Sequence, residues 1–158
     1  MKEKLSNRPA ATGEDGALDK SDFERLSHFR YRLRCFLRVS EDLCLARGLT
    51  SLQYQLLLHI EGFPNREWAS VGEIAERMQA KHHGIVALID RCEKAGLVVR
   101  RPGVEDRRQV QVHLLAKGRK LLESLAILHQ PELRWLQDEF KQPGWDGKES
   151  KLPRQKAR

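Results

Sequence analysis

Between Ser70 and Lys120 the chain sets out two helical patterns, a glycine stop and two β-branched runs, in an order that leaves few folds open. Ser70 followed by Glu73 is a capping box, in which each side chain takes one of the N–H groups that a helix start leaves unpaired. Ile85, Leu88, Ile89 and Cys92 then recur at helical spacing, a stripe that can bury one face of a second helix against the first. Gly96 ends that helix, because a helix C-terminus commonly needs the left-handed conformation that glycine adopts without strain. LVVRR and QVQVHLL alternate as strands do, and PGVEDRR between them holds the Pro and Gly of a turn. Helix, turn, helix and a basic two-stranded ribbon make a winged helix-turn-helix, and an arginine-tipped ribbon fits a groove of DNA.

The flanks of this segment are helical. Residues 18–47 form one long pattern in which Leu26, Phe29, Leu33, Phe36, Ser40 and Leu43 mark a seam, while Arg30, Arg34 and Arg38 line a different face. Thr50 with Gln53 is a second capping box, opening a short helix that the GFPN turn closes. After the ribbon, GRKLLESLAILHQ predicts a helix that Pro131 breaks or kinks, or else Pro131 opens a further helix, PELRWLQDEF. Residues 1–16 read as a disordered arm and 142–158 as a disordered basic tail around one domain at 17–141, with a DNA-binding part at about 50–118. The fold class is mainly α (α+β), a winged helix-turn-helix with N- and C-terminal dimerisation helices at about 18–47 and 119–141. Leu26, Phe29, Leu33 and Phe36 at one end, with Leu121, Leu122, Leu125, Leu128, Leu133 and Leu136 at the other, exceed what one small core needs. They predict pairing with a second copy.

Charge points the same way. The 158 residues carry a formal net charge of +7, and residues 97–120 hold seven Lys and Arg against Glu105 and Asp106. A basic cluster on one ribbon is the footprint of a nucleic-acid contact. No apolar run approaches the roughly 20 residues that span a bilayer, so no membrane partner is expected. Three cysteines without CxxC spacing fit a reducing cytoplasm better than a disulfide framework. GxSxG, P-loop, GxGxxG and HExxH patterns do not occur, so neither enzyme nor cofactor is expected.

GLTSLQYQLLLHI from Gly48, KAGLVVR from Lys94 and the DRRxVxVxL pattern from Asp106 to Leu114 resemble the MarR family of bacterial transcription regulators, over roughly Ser27 to Glu139. The family usually has Thr after the last Leu of that pattern, where its hydroxyl caps the next helix; here the position is Leu115. The resemblance implies a homodimer built from the terminal helices, acting as a ligand-released repressor on a pseudo-palindromic operator in double-stranded DNA. It also implies an effector pocket between the dimerisation helices and the winged helix, which would place Phe29, Leu33, Phe36 and Tyr54 around a small aromatic or amphipathic ligand.

A recognition helix puts its first turns in the major groove. The residues before and opposite the buried stripe are Lys81, His82, His83, Val86 and Ala87, with imidazoles for guanine or phosphate oxygen and Val86 for a thymine methyl. Arg91, Arg100 and Arg101 are assigned to phosphates. Arg107 and Arg108 form the ribbon tip, suited to a narrow minor groove, with Asp106 expected to orient Arg108 through a bidentate ion pair. His82 and His83 diverge on a helix and have no nearby carboxylate, so no metal site is assigned. Two alternatives stand beside this reading: a redox-sensing regulator acting through Cys35 amid Arg32, Arg34 and Arg38, and a winged helix that binds an acidic protein partner.

Overall fold

A computed structural model describes residues 18–140 apart from residue 105, so the arm and tail assigned from the sequence lie outside the described residues. Five helices and three strands follow in the order α1 (Lys20–Ala46), α2 (Ser51–Glu61), β1 (Trp68–Ser70), α3 (Val71–Arg77), α4 (His82–Lys94), β2 (Val98–Pro102), β3 (Val110–Leu114) and α5 (Ala116–Phe140). Both capping boxes form as the sequence predicts, on Thr50 with Gln53 and on Ser70 with Glu73. A third starts α1, on Asp19 with Asp22.

Three helices end in the same way. At α4 the Leu97 N–H donates to the Cys92 carbonyl and the Gly96 N–H to the Glu93 carbonyl, both at 2.9 Å, with Gly96 at φ +70°. This Schellman arrangement occupies carbonyls that a helix end leaves open. Gly48, at φ +74°, does the same for α1. At α3 the left-handed position is filled by Gln79, at φ +49°, between the two helices of the helix-turn-helix.

The ribbon has three strands rather than two. β3 pairs antiparallel with β2 on one side and with β1 on the other, Ala69 lying opposite Val112 and Arg100 opposite Val112 across the sheet. β1 is only three residues long, too short for an alternation to announce it. Ala69, Val98 and Val112 are sealed on the inner face and join Leu56, Leu57, Ile60, Ile74, Ile85, Leu88, Ile89 and Cys92 in one core. The stripe of α4 therefore packs as its spacing predicts.

α5 runs through Pro131 without interruption, so the expected break is absent. Proline removes one bond to the carbonyl four residues earlier, that of Ile127. Ile127 and Pro131 both lie on the exposed side of α5, where water can serve the freed carbonyl. The start of α5 keeps its register despite Leu115: the Leu115 N–H donates to the Leu97 carbonyl and the Arg119 N–H to the Leu115 carbonyl, without a hydroxyl cap. α5 lies along α1, and the α1 seam residues Phe29, Leu33, Phe36 and Leu43 are half-buried while Arg30, Arg34 and Arg38 are exposed.

Candidate nucleic-acid interface

The residues assigned to the recognition helix stand on one side of α4. Lys81, at the N-cap position, makes no side-chain cap, and Lys81, His82, His83, Ala87 and Arg91 are all exposed. Val86 is half-buried. This outward face exists because the apolar stripe pulls the opposite one into the core.

The wing arginines divide. A strand sends successive side chains to opposite faces, so the inward Val98 places Arg100 on the helix side and Arg101 on the outer side. Arg101 is exposed. The Arg100 side chain is 25% exposed and spends its donors within the protein, pairing with Glu93, with Asp90 at 2.8 Å and with the Val86 carbonyl at 3.2 Å. Counting by twos from Val98 is the sequence signal that separates the two arginines. Glu93 and Asp90, by contrast, cannot be matched to Arg100 until α4 and β2 are packed together.

At the tip, Asp106 meets Arg108 through the backbone. Its Oδ1 accepts the Arg108 N–H at 2.9 Å, and the Gln109 N–H donates to the Asp106 carbonyl at 3.0 Å. Among the described residues no ion pair joins the Asp106 carboxylate to the Arg108 guanidinium, so the expected bidentate pair is replaced by a side-chain-closed turn. Arg107 and Arg108 both project into solvent. Gly103 is required beneath them: a Cβ there would lie 2.5 Å from the Asp106 carbonyl oxygen.

On the outer face of the sheet, Trp68 and His113 lie opposite each other with ring centroids 6.4 Å apart. Burial and then the nearby Arg101 hold the His113 imidazole below its ordinary pKa. Arg66 is stacked between Phe63 at 4.1 Å and Trp68 at 3.8 Å while paired with Glu73, a brace that the sequence reading missed because it joins a loop, a strand and a helix.

The four residues assigned to an effector do not share one environment. Leu33 lines an open depression along α1 with Arg30, Tyr31, Arg34, Leu37, Arg38 and Glu41, whereas Tyr54 is buried against His129. Cys35 is half-buried, and hydrogen bonding to its thiol raises the pKa of Tyr31 one turn earlier. Among the described residues no cluster of His, Cys, Asp and Glu is placed to hold a metal, and no helix is long and apolar enough to cross a membrane.

Residues 47–109, which span the helix-turn-helix and reach the wing tip, match the model of the MarR family. In this segment the chain is similar to the MarR family. An HTH-type transcriptional regulator of Bacillus subtilis, YfiV, itself uncharacterised, is 34% identical over 87 residues, covering 55% of this chain and 51% of its own length. The chain thus spans about half the length of that relative. AbsC, a MarR family transcriptional regulator from Streptomyces coelicolor, superposes with a TM-score of 0.68 over 80% of this chain and 85% of its own, at 20% identity. A mutant MarR from E. coli, crystallised with operator DNA, gives 0.59 over 74% and 81% at 21% identity. At these identities the two structures establish a shared MarR fold, with the terminal helices included in the overlap.

Proposed function

We propose that this chain is a DNA-binding transcription regulator that engages a two-fold operator as a homodimer. The observation that carries the reading is the exposed face of α4, Lys81, His82, His83, Ala87 and Arg91, standing beside a wing whose Arg101, Arg107 and Arg108 are also exposed. A helix face and a ribbon tip whose exposed charges are mainly basic suit a major groove and its neighbouring backbone or minor groove. The E. coli relative found in complex with operator DNA supports the same use of the fold. In this reading Lys81, His82, His83, Val86 and Ala87 meet base edges, Arg91 and Arg101 meet phosphates, and Arg107 and Arg108 enter the minor groove.

Dimerisation is supported by apolar side chains left exposed on the outer helices: Phe23, Leu26 and Leu37 on α1, Ile127 and Leu133 on α5. A second copy of these helices would cover them and set two recognition helices on one face of the duplex. Repression, and its release by a small aromatic or amphipathic effector, complete the proposal.

The test is binding of the full chain to duplex DNA across a salt series, followed by footprinting on the genomic fragments it retains. Affinity should fall linearly on logarithmic axes as salt rises. Protection should be symmetric, with half-site centres roughly 10 bp apart. Salt-independent binding, or protection of one short half-site alone, would contradict the proposal and favour a protein-interaction module. Light scattering should report about twice the chain mass; a folded monomer at micromolar concentration sinks the dimer.

A further inference from the structure

β2 is an edge strand, so alternate N–H groups on it face away from β3. An unpaired edge must be covered or served by side chains. The Arg100 N–H is served from α4: Glu93 Oε1 accepts it at 2.8 Å. The same carboxylate pairs through Oε2 with the Arg100 guanidinium, which also reaches Asp90 Oδ1 at 2.8 Å and donates to the Val86 carbonyl at 3.2 Å. One side chain is thereby bonded to three positions, Val86, Asp90 and Glu93, that lie along one line of the recognition helix over two turns.

We propose that Arg100 is a positioning residue, holding the wing at a fixed angle to the recognition helix so that the two engage DNA as one body. The inference rests on the DNA-binding reading above. Between α4 and β2 the chain turns through Gly96, whose missing side chain leaves the backbone permissive. The Schellman bonds fix the chain where it leaves α4, and the clamp ties the strand to the helix face a second time, four residues further on. If helix and wing are aligned on folding, alignment need not be met again on binding. A planar guanidinium can bond several acceptors at fixed angles, whereas the lysine ammonium is a point charge on a flexible stem. Charge count and geometry therefore make opposite predictions for two substitutions.

The experiment compares wild type, Arg100→Lys and Glu93→Gln in the full chain, by fluorescence anisotropy on a retained genomic duplex at several salt concentrations. Arg100→Lys keeps the charge and Glu93→Gln removes a negative one, so a purely electrostatic role predicts unchanged and tighter binding respectively. Positioning predicts that both weaken binding by about tenfold or more, the order for losing a hydrogen bond to a charged group, with the salt slope unchanged. Arg101→Ala should instead shallow the slope by about 0.9, the value for one phosphate contact. Amide exchange of the DNA-free protein provides a second readout: in Glu93→Ala, which removes the acceptor, the Arg100 amide should lose protection while those of Ile89 and Val112 keep theirs. Tighter binding by Glu93→Gln, or wild-type affinity in Arg100→Lys, overturns the positioning role alone. A wild-type chain that binds no duplex overturns the DNA reading itself.

Discussion

The Tyr54 ring lies flat on the imidazole of His129, with centroids 4.7 Å apart and planes 8° from parallel. His129 is 3% exposed, and its two nitrogens are both engaged: Nδ1 with the Leu125 carbonyl at 2.7 Å and Nε2 with Ser40 Oγ at 2.8 Å. A carbonyl only accepts, so Nδ1 carries the proton, and in the neutral ring the Ser40 hydroxyl donates to Nε2. α1, α2 and α5 meet at this stack, where the terminal helices join the winged helix. Removing the hydroxyl leaves a buried acceptor unserved, so Ser40→Ala is expected to cost about 1–3 kcal/mol in urea unfolding at fixed protein concentration. Unchanged stability would show that the Ser40 contact contributes nothing.

Gln79 occupies a left-handed conformation that costs a side-chain-bearing residue roughly 1–2 kcal/mol. Its amide recovers part of this by donating to the Glu76 carbonyl at 2.7 Å. Gln79→Gly relieves the conformation at the expense of a more flexible unfolded chain, for an expected net gain of about 0.5 kcal/mol and a higher Tm. A lower Tm would mean that the side-chain bond outweighs the backbone relief.

Burial raises the pKa of Glu73, but hydrogen bonds from the Ser70 N–H, Arg66 and the Ser70 hydroxyl, with the Arg66 charge, bring it below the ordinary value. A carboxylate favoured in the native state stabilises it above the unfolded pKa and loses that contribution as pH falls through the folded one. Glu73→Gln can keep the capping box, as Gln53 does in α2, but loses the Arg66 ion pair, so it should be less stable than wild type by about 0.5–1 kcal/mol at pH 7. The gap should narrow in acid. A difference independent of pH between 7 and 3 would assign the effect to packing.

Burial pushes the Cys92 thiol up to about 11 and raises that of Cys44, and both side chains are fully enclosed. Thiolate is the reactive form, so neither should react with a thiol reagent at pH 8 until the protein is unfolded. Rapid native labelling of Cys92, located by mass spectrometry, would show that α4 opens far more readily than its packing implies.

Gly118, in the first turn of α5, passes so close to the α4 exit that a Cβ would lie 2.2 Å from the Leu97 carbonyl oxygen. Leu97 also accepts the Leu115 N–H, so the backbone there has little room to withdraw. Gly118→Ala should destabilise by about 1–3 kcal/mol, the usual range for overpacking. Wild-type stability would show that α5 can shift to accommodate the methyl group.

Local chemistry was what the sequence stated most clearly. The Ser70 and Thr50 boxes, the Gly96 exit and the Ile85 to Cys92 stripe each involve residues within about two turns, where spacing alone determines who can meet. Readings failed where a contact depends on packing between elements. Arg100 looks like any basic wing residue until Glu93 and Asp90 are brought beneath it, and an acid beside a base suggests a charge pair, whereas Asp106 bonds the Arg108 backbone N–H. Pro131 misled differently: the rule that proline ends helices holds best where the freed carbonyl is buried, and here that side of α5 is exposed.

Arg119 reaches from α5 to Glu61 with one arm and to Glu67 at 3.2 Å with the other, so a single guanidinium grips both ends of the segment between α2 and β1. The ends of that loop are held from outside it, which makes their separation insensitive to the length of chain between them. Lengthening a flexible loop costs little in closure entropy, about 0.6 kcal/mol for each doubling. A peptide tag spliced between Pro64 and Asn65, both exposed, should therefore leave the separation of α2 and β1 unchanged at the cost of the Arg66 stack on Phe63, offering an internal attachment point that spares both termini and the exposed face of α4.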